Sequence, residues 1–343
     1  MRKGINPQKN SEVTDSGHYH KVIVPVYIPH QEDYYKDAFS ILKVCLETLT
    51  ATVHGKTLIA VADNGSCDAV IAYLQTLYVA GTIQELSVTR MNVGKVNSIY
   101  KTLAGDTYPL VTVSDADVYF YHGWQEAVER IYMNFENVGA VCPTPSSRSY
   151  GHMTQPVWLR YLWSKQLKFE KNPDPEGMIS FGNSLGNPDF YNKVQLEKTL
   201  VLRNNSGEKA VLGAGHYVAT YRGDILKTNL QKATSHTLGA KMVQEYIDRP
   251  VYESGLYRLS TMRSYATHMG NVYEPWMDSS KNSLEKKPKE EASFTAISAY
   301  KQPGKFKMLL YKMISKGLKN KKIGTYVFKK KGLTAQEAKE YLS

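Results

Sequence analysis

Short apolar runs alternate with amphipathic segments through the first 145 residues of the chain. The runs at 21–27, 57–61, 83–88, 110–119 and 138–142 are rich in β-branched residues and predict buried strands. Apolar side chains at helical spacing predict helices at about 37–50 and from Ile71, Val96 and Trp124 onward. Because strand and helix alternate with short turns, we expect a mostly parallel sheet with helices on both faces.

The second half of the chain is less regular. Residues 143–200 are rich in Pro, Asn, Gly, Ser and aromatic residues and show no clear period, which is typical of a long functional loop or of unrecognised elements. A glycine turn at 212–215 leads into a strand, and 224–247 predicts a helix interrupted at Gly239. We therefore divide the chain into a disordered lead-in (1–20), an α/β half (21–145), a second half of the same domain (146–278) and a linker with a tail (279–343).

Composition and charge indicate where in the cell the protein is expected. The chain has 343 residues, a formal net charge of +11 and no apolar run near the roughly 20 residues of a membrane helix. Three widely spaced cysteines match no zinc pattern, and residues 1–17 contain no apolar signal segment, so we expect a cytoplasmic protein with reduced thiols.

The positive charge is concentrated in the tail. Residues 280–292 are rich in Lys and Glu and indicate a solvated linker. Between Lys305 and Lys331 there are roughly ten lysines and no acidic residue, interleaved with apolar side chains such as Phe306, Leu309 and Met313. A basic amphipathic helix of this kind suits an anionic membrane surface, which would make the protein peripheral on the inner face of the cell membrane.

Two carboxylates stand near the end of the fourth predicted strand, at Asp115 and Asp117. Side chains alternate along a strand, so the two would point the same way, at the sheet edge where open α/β sheets bind ligands. A carboxylate pair there suits a divalent cation that also binds phosphate oxygens. The alternative interpretation is a solvated turn.

Five motifs in order resemble those of family-2 glycosyltransferases. They are Val22–Tyr27, Cys45–Leu49, Val61–Ser66, Asn92–Gly94 and Asp115–Asp117, and a looser similarity continues to about residue 271. The resemblance implies a GT-A fold and an inverting enzyme that uses a nucleotide-diphospho-sugar, with UDP as the expected nucleotide, and Mn²⁺ or Mg²⁺. It further implies transfer to a glycan or lipid-linked acceptor in bacterial surface-polysaccharide synthesis.

The resemblance also assigns residue roles. The loop around Pro25 and Tyr27 would line the nucleobase and ribose, and Asp63 would accept a hydrogen bond from the base unless it only stabilises its turn. Asn92, Gly94 and Lys95 would border the diphosphate or ribose, although Lys95 is otherwise an ordinary exposed lysine. Asp115, with Ala116, would contact the ribose or the sugar. Asp117 and His268 would bind the metal ion. Gly213, Ala214 and Gly215 would form a turn on the acceptor side.

An inverting transfer needs a general base for the acceptor hydroxyl. The candidate segment is 244–250, where the family usually carries adjacent acidic residues, whereas this chain has separated ones. Asp248 is the first candidate, Glu245 the second and Glu253 the third. The alternative is a carboxylate at a helix end that pairs with Arg249.

Three other classes of protein fit less well. A nucleotidyltransferase would carry a glycine- and arginine-rich loop after the first strand, whereas residues 27–31 contain neither. A non-catalytic nucleic-acid-binding protein is compatible with the charge, but the basic tail contains no recognisable reading module, so we expect no nucleic-acid partner. A dinucleotide-binding dehydrogenase lacks its Gly-x-Gly-x-x-Gly segment.

Overall fold

The first half of the chain builds a parallel sheet in a computed structural model that describes residues 4–6, 9, 11–12, 16–230, 234–235, 240–282, 292 and 294–343. Its strands and helices confirm the predicted alternation, and they are β1 (His20–Val26), α1 (Ala38–Thr52), β2 (Thr57–Asn64), α2 (Asp68–Val79), β3 (Glu85–Thr89), α3 (Lys95–Leu103), β4 (Leu110–Ser114), β5 (Val118–Phe120), α4 (Trp124–Asn134) and β6 (Val138–Cys142). Of the predicted disordered lead-in, residues 1–3, 7–8, 10 and 13–15 lie outside the described residues, whereas its last residue, His20, is buried and belongs to β1.

The second half adds short helices and antiparallel strands. It contains α5 (Gln155–Tyr161), β7 (Leu167–Lys171), α6 (Pro175–Ser184), α7 (Lys193–Glu197), β8 (Lys198–Arg203), β9 (Lys209–Leu212), β10 (Val218–Arg222), α8 (Gly223–Leu226), α9 (Ala240–Val243), α10 (Arg249–Glu253), β11 (Tyr257–Ser260), β12 (Ala266–His268) and α11 (Pro275–Asn282). A π-helical turn, Gln244–Asp248, joins α9 to α10. The tail forms α12 (Lys305–Lys319), α13 (Lys321–Lys330) and α14 (Ala335–Tyr341).

One mixed sheet organises these elements. Its strand order is β3-β2-β1-β4-β10-β6-β11-β9-β8-β7, and β5 pairs with β12 in a second, two-stranded sheet. Strands β1, β2, β3 and β4 are parallel to one another, while β10 runs antiparallel between β4 and β6. The predicted α/β fold class, a mostly parallel sheet flanked by helices, is confirmed. Apolar clusters cover both faces of this sheet.

Three sequence predictions need correction. The predicted 110–119 strand ends at Ser114 and resumes as β5 in the other sheet, so Asp115 and Asp117 do not share a continuous strand. Residues 143–200 contain helices and strands whose short, partly exposed patterns gave no period. The helix predicted from 224 ends as α8 and a 3₁₀ turn at 227–229, and Gly239 lies outside the described residues, as does most of the predicted 280–292 linker.

Pro25 fits β1 because the strand loses one neighbour before reaching it. The pairing of β1 with β4 ends at Ile23, whereas the pairing with β2 continues through Pro25 to Val26. Proline has no N–H to donate. Because β4 no longer pairs with β1 at the level of Pro25, the missing N–H removes no hydrogen bond between these two strands.

The C-terminal helices pack against the body of the protein. Phe328 on α13 is fully buried, and its ring stacks on Trp158 of α5 at 6.2 Å between centroids. Tyr341 on α14 is also buried, and its hydroxyl donates to the carbonyl of Ser147 at 2.7 Å. Lys331, counted among the basic tail residues, is buried and donates to the carbonyls of Tyr161 and Ser164.

We expect Phe328→Ala to destabilise the protein by about 3–5 kcal/mol, because the substitution empties a buried aromatic site. Urea unfolding followed by circular dichroism measures this change. Phe306→Ala on α12 is the matched control, since 71% of that side chain is already exposed. Equal effects of the two substitutions would contradict the docking of α13.

Candidate functional site

Loops from three parallel strands meet at the carboxyl edge of the sheet. The Asn64 amide donates to Asn92 Oδ1 at 2.8 Å, and Asn92 Oδ1 also accepts from the backbone N–H of Gly94 at 2.9 Å. Gly94 has φ +93°, a conformation that favours glycine, and it immediately precedes α3. Asn92 and Gly94 therefore join the end of β2 to the first turn of α3.

Asp63 is buried and stabilises the turn that follows β2. Its carboxylate accepts hydrogen bonds from the backbone N–H groups of Gly65 and Ser66, each at 3.3 Å. Gly65 has φ +96°, and a Cβ there would come within 3.1 Å of the Asn92 nitrogen. Across the same edge Tyr27 is 38% exposed, and its ring lies edge-on to Tyr35.

Lys95 and Asp115 form an ion pair between α3 and the end of β4. The Lys95 ammonium donates to Asp115 Oδ1, and both side chains are largely buried. The Asp115 backbone N–H donates to the Tyr217 carbonyl at 2.7 Å, just before β10 begins. Asp115 thus lies between the first turn of α3 and the loop before β10, while Ala116 is half-buried beside it.

Asp117 and His268 face each other because β5 pairs with β12. His268 stands opposite Val118 in that pairing, and the Met269 N–H donates to the Asp117 carbonyl at 2.8 Å. His268 Nε2 then lies 3.4 Å from Asp117 Oδ2. Asp117 Oδ1 is buried and has no hydrogen-bond partner in the described part of the chain. Burial raises the pKa of the Asp117 carboxyl, against the opposing effect of His268.

Ser184 determines which nitrogen of His268 faces Asp117. The Ser184 hydroxyl donates to the carbonyl of Phe181 at 2.7 Å, so its oxygen is free to accept from His268 Nδ1, 3.0 Å away. With the proton on Nδ1, Nε2 presents a lone pair toward the Asp117 carboxylate. Two lone-pair atoms at 3.4 Å repel each other unless a cation or a proton lies between them.

Aromatic rings surround this pair. Tyr217 and Phe181 stack with 5.2 Å between centroids, and each ring lies edge-on to the His268 imidazole, at 5.4 and 6.0 Å. Burial raises the pKa of the Tyr217 hydroxyl, which donates to Thr144 at 2.6 Å. The rings hold the imidazole in place and limit access of water.

The Gly213–Gly215 turn lies directly before His216 and Tyr217. Gly213 has φ +106°, and a Cβ there would fall 2.5 Å from the Ser149 Cβ, so only glycine fits without displacement. The Ala214 carbonyl accepts from Arg258 Nη2 at 2.9 Å. A Cβ on Gly215 would be 3.6 Å from the Cys142 sulfur, an ordinary contact.

The candidate base carboxylates lie in two different environments. Glu245 and Glu253 are about half exposed, and both pair with Arg249. Asp248 is fully buried, with Oδ1 accepting from the Tyr221 hydroxyl at 2.9 Å and Oδ2 lying 3.0 Å from Arg258 Nη2. Burial acts to raise the pKa of Asp248, but Arg258 and the polar neighbours outweigh it and hold that pKa below its ordinary value.

A further group of residues that could hold a metal ion, His20, His54 and Glu129, lies at the opposite edge of the sheet. His20 is the first residue of β1, so strand geometry puts it on the order of 15 Å from the carboxyl edge. Glu129 Oε1 lies 3.3 Å from His20 and 2.9 Å from His54, and Oε2 accepts from the Tyr19 hydroxyl. These contacts already form a hydrogen-bonded network.

Sequence reasoning missed three residues of the carboxyl edge. Ser184 comes from a region without periodicity, and nothing in the sequence connects it with His268. His216 and Tyr217 directly follow the Gly213–Gly215 turn. Because that turn was predicted to belong to the site, their position next to it was the sequence feature that could have identified them. Of the predicted residues, the structure brings together Lys95 with Asp115 and Asp117 with His268.

No protein-family model matches the chain, and no curated protein matches it. Among solved structures, the chain is similar to the mannosyltransferase PcManGT from Pyrobaculum calidifontis, in complex with GDP-Man and Mn²⁺, at 13% identity and TM-score 0.45, over 93% of this chain and 73% of that one. S. aureus TarS 1–349 is similar at 13% identity and TM-score 0.42, over 73% and 60%. Glucosyl-3-phosphoglycerate synthase from Mycobacterium tuberculosis is similar at 11% identity and TM-score 0.36, over 77% of this chain and 75% of that one. At these values the similarity concerns the fold and transfers no residue roles.

The Glu129 network predicts a pH-dependent contribution to stability. Burial acts to raise the pKa of Glu129, but hydrogen bonds with His20 and His54 outweigh it and lower the pKa to about 2, from an ordinary value of 4.5. A lowered folded-state pKa stabilises the protein fully above about pH 4.5, and this contribution disappears as pH falls toward 2. We expect Glu129→Gln to cost on the order of 3 kcal/mol at pH 7, and less at pH 3.

Urea unfolding at pH 7, 5, 4 and 3 measures this loss. Glu126→Gln is the matched control, because that residue lies on the exposed side of the same helix. A difference between wild type and Glu129→Gln that stays constant across this range would contradict the proposed ionisation.

Proposed function

We propose that the protein is a glycosyltransferase that uses a nucleotide-diphospho-sugar and a divalent metal ion, Mn²⁺ or Mg²⁺. The observation that carries the proposal is the arrangement of Asp117 and His268. Within the described part of the chain, Asp117 Oδ1 is buried without a hydrogen-bond partner, and Asp117 Oδ2 lies 3.4 Å from His268 Nε2. Carboxylate and neutral imidazole together form a donor set that suits Mn²⁺.

Asp117 and His268 fit a shared ion by distance as well as by chemistry. Two ligand atoms that each lie about 2.1 Å from one ion can be up to about 4.2 Å apart, and these two are separated by 3.4 Å. Ser184 accepts the hydrogen bond from His268 Nδ1 and so fixes the required tautomer, as the hydrogen-bond partner of the other ring nitrogen commonly does in metal-bound histidines. When bound, the ion would act as a Lewis acid that neutralises charge on the departing nucleoside diphosphate.

Residues of the first half would bind the nucleotide. In this proposal Tyr27 and the end of β1 at Pro25 line the base, and Asp63 accepts a hydrogen bond from the base while holding its turn. Asn92 and Gly94 border the ribose or diphosphate, and Lys95 and Asp115 contact ribose, sugar or phosphate with Ala116 between the acidic residues. A uracil or a guanine N–H could donate this hydrogen bond to Asp63, and of the two nucleotides we expect UDP.

The acceptor would approach from the opposite side, past Gly213, Ala214 and Gly215. Near these residues a cavity of about 580 Å³ opens between the 148–155 segment and α12. Arg148, His152 and Lys319 are part of its lining. Because α12 lines this cavity and also carries the exposed apolar side chains described next, we propose a lipid-linked acceptor with an anionic group, used with inversion in bacterial surface-polysaccharide assembly.

The outer face of α12 supports contact with an anionic membrane. Phe306, Leu309 and Met313 are 71%, 54% and 60% exposed, on the side of α12 opposite the buried Tyr311 and Leu318. Lysines flank them on the same helix, at 305, 307, 312 and 316. Apolar insertion combined with lysine attraction to acidic lipids is the physical basis of peripheral binding. None of the helices in the described part of the chain is long and apolar enough to cross a bilayer.

We expect UDP with Mn²⁺ to raise the melting temperature of the wild type and not that of Asp117→Asn or His268→Gln. A ligand at about 100 times its dissociation constant adds roughly 2.7 kcal/mol to the stability of the folded state. Thermal unfolding with UDP, GDP, CMP and ADP, each with and without Mn²⁺, measures the effect.

Asp189→Asn serves as the matched control, because that carboxylate is exposed near the end of α6. It should keep the full response to nucleotide and metal. A wild type that responds to UTP or ATP but to none of the diphosphates would favour a nucleotidyltransferase. A response that survives in both site variants would contradict the metal assignment.

For membrane contact, we expect co-flotation with vesicles of phosphatidylcholine and phosphatidylglycerol, but not with phosphatidylcholine alone. The triple substitution of Phe306, Leu309 and Met313 to Ser should abolish flotation, because apolar insertion is lost. Val79→Ser, at an exposed apolar position of α2, is the control. Retained flotation of the triple variant would contradict this docking face.

A further inference from the structure

We propose that His216 is the catalytic base of the transfer, and that buried Asp248 is the residue that positions it. This inference rests on the proposed function, since it names the group that removes the acceptor proton. It differs from the sequence expectation, in which Asp248 itself removes the proton.

Asp248 is too deeply buried to contact an acceptor hydroxyl. Its carboxylate is fully buried beneath the 213–217 loop, with one oxygen held by the Tyr221 hydroxyl and the other beside Arg258. The side chain of Arg258 is equally buried, and its guanidinium also donates to the Ala214 carbonyl, which ties this loop to the ion pair. A carboxylate enclosed in this way can orient a neighbour but cannot reach a substrate.

His216 is the neighbour that reaches outward. Its Nδ1 lies 3.3 Å from Asp248 Oδ2, and 30% of its side chain is exposed. Because the pKa of Asp248 is held low, its oxygen carries no proton, so the nitrogen that faces it must carry one. The other nitrogen, Nε2, is then left with a free lone pair, which a general base needs.

The position of His216 in the chain brings it to the proposed site. The next residue is Tyr217. Its backbone carbonyl accepts a hydrogen bond from the Asp115 N–H, and its ring packs against His268. Consecutive Cα atoms are about 3.8 Å apart, so His216 adjoins the wall formed by the metal-side residues. It also directly follows the Gly213–Gly215 turn assigned to the acceptor side.

The charged groups beside His216 nearly balance one another. Asp248 and Arg258 balance each other, and His152, on the same side, is neutral because burial lowers its pKa to about 4. In the transfer, the acceptor O–H proton passes to Nε2 while the acceptor oxygen forms a bond to the anomeric carbon. The bond from that carbon to the phosphate oxygen breaks, and its electron pair leaves with the nucleoside diphosphate.

The first test reads the tautomer of His216 without any substrate. Long-range ¹H–¹⁵N spectra of histidine-labelled protein at pH 8 report which ring nitrogen carries the proton, and His216→Gln identifies the signal by its loss. We expect the Nδ1–H form in the wild type. An Nε2–H form would overturn the proposal, because the lone pair would then face Asp248.

The second test separates catalysis from binding. We expect His216→Gln to lower kcat for release of UDP from UDP-glucose or UDP-N-acetylglucosamine by about 10²–10⁴-fold, with an unchanged KM and an unchanged melting response to UDP and Mn²⁺. Asp248→Asn should lower kcat as well and shift the His216 tautomer. His18→Gln, before the first strand and thus at the other edge of the sheet, is the control.

The outcomes distinguish the two proposals. A wild type that turns over a sugar donor while His216→Gln retains its kcat would overturn the role of His216 and leave the glycosyltransferase intact. A wild type with neither nucleotide binding nor turnover would overturn the proposed function, while the tautomer measurement would still decide whether Asp248 orients His216. If Asp248→Asn fails to fold, His216→Gln and the wild-type tautomer decide the question.

Discussion

The pairing of β5 with β12 is the constraint on which the proposed site depends. β4 ends at Ser114, the chain turns through Asp115 to Asp117, and β5 then pairs with a strand from almost 150 residues later in the chain. That register sets His268 beside Asp117, and a hydrogen bond from Met269 to the Asp117 carbonyl fixes it. A shift by one residue would turn the imidazole to the other face of the strand. The metal site that we propose is therefore a property of backbone pairing between distant segments.

Buried charge is handled differently at the two edges of the sheet. At the amino edge, the Glu129 carboxylate is surrounded by donors from Tyr19, His20 and His54, which is a closed and stabilising arrangement. At the carboxyl edge, Asp117 Oδ1 has no hydrogen-bond partner among the residues that the structure describes. A buried acceptor without a donor costs free energy, and a bound ion is one arrangement that removes this cost. This contrast distinguishes a structural network from a proposed binding site made of similar residue types.

The sequence predicts the parallel half of the sheet well, because each strand is a separate apolar run followed by a helix with a clear period. It also locates the Asp63 and Asn92 turns, since these follow directly from the strand ends, but it continues the fourth strand through Asp115, whereas β4 ends at Ser114. It fails where partners come from distant segments without periodicity. Ser184 belongs to no recognisable sequence pattern, yet its hydroxyl determines the tautomer of His268. The tail shows the same limit. Phe306 and Phe328 look alike among lysines, but only docking reveals that one is exposed and the other fully buried.

The most direct measurement is pulsed electron paramagnetic resonance of Mn²⁺ bound to the protein in the presence of UDP. Our account predicts a coupling to one imidazole nitrogen, together with phosphorus couplings from the diphosphate, and loss of the nitrogen coupling in His268→Gln. Bound Mn²⁺ that shows no nitrogen coupling, or whose nitrogen coupling persists in His268→Gln and disappears in His54→Gln, would contradict the proposed metal site at the carboxyl edge.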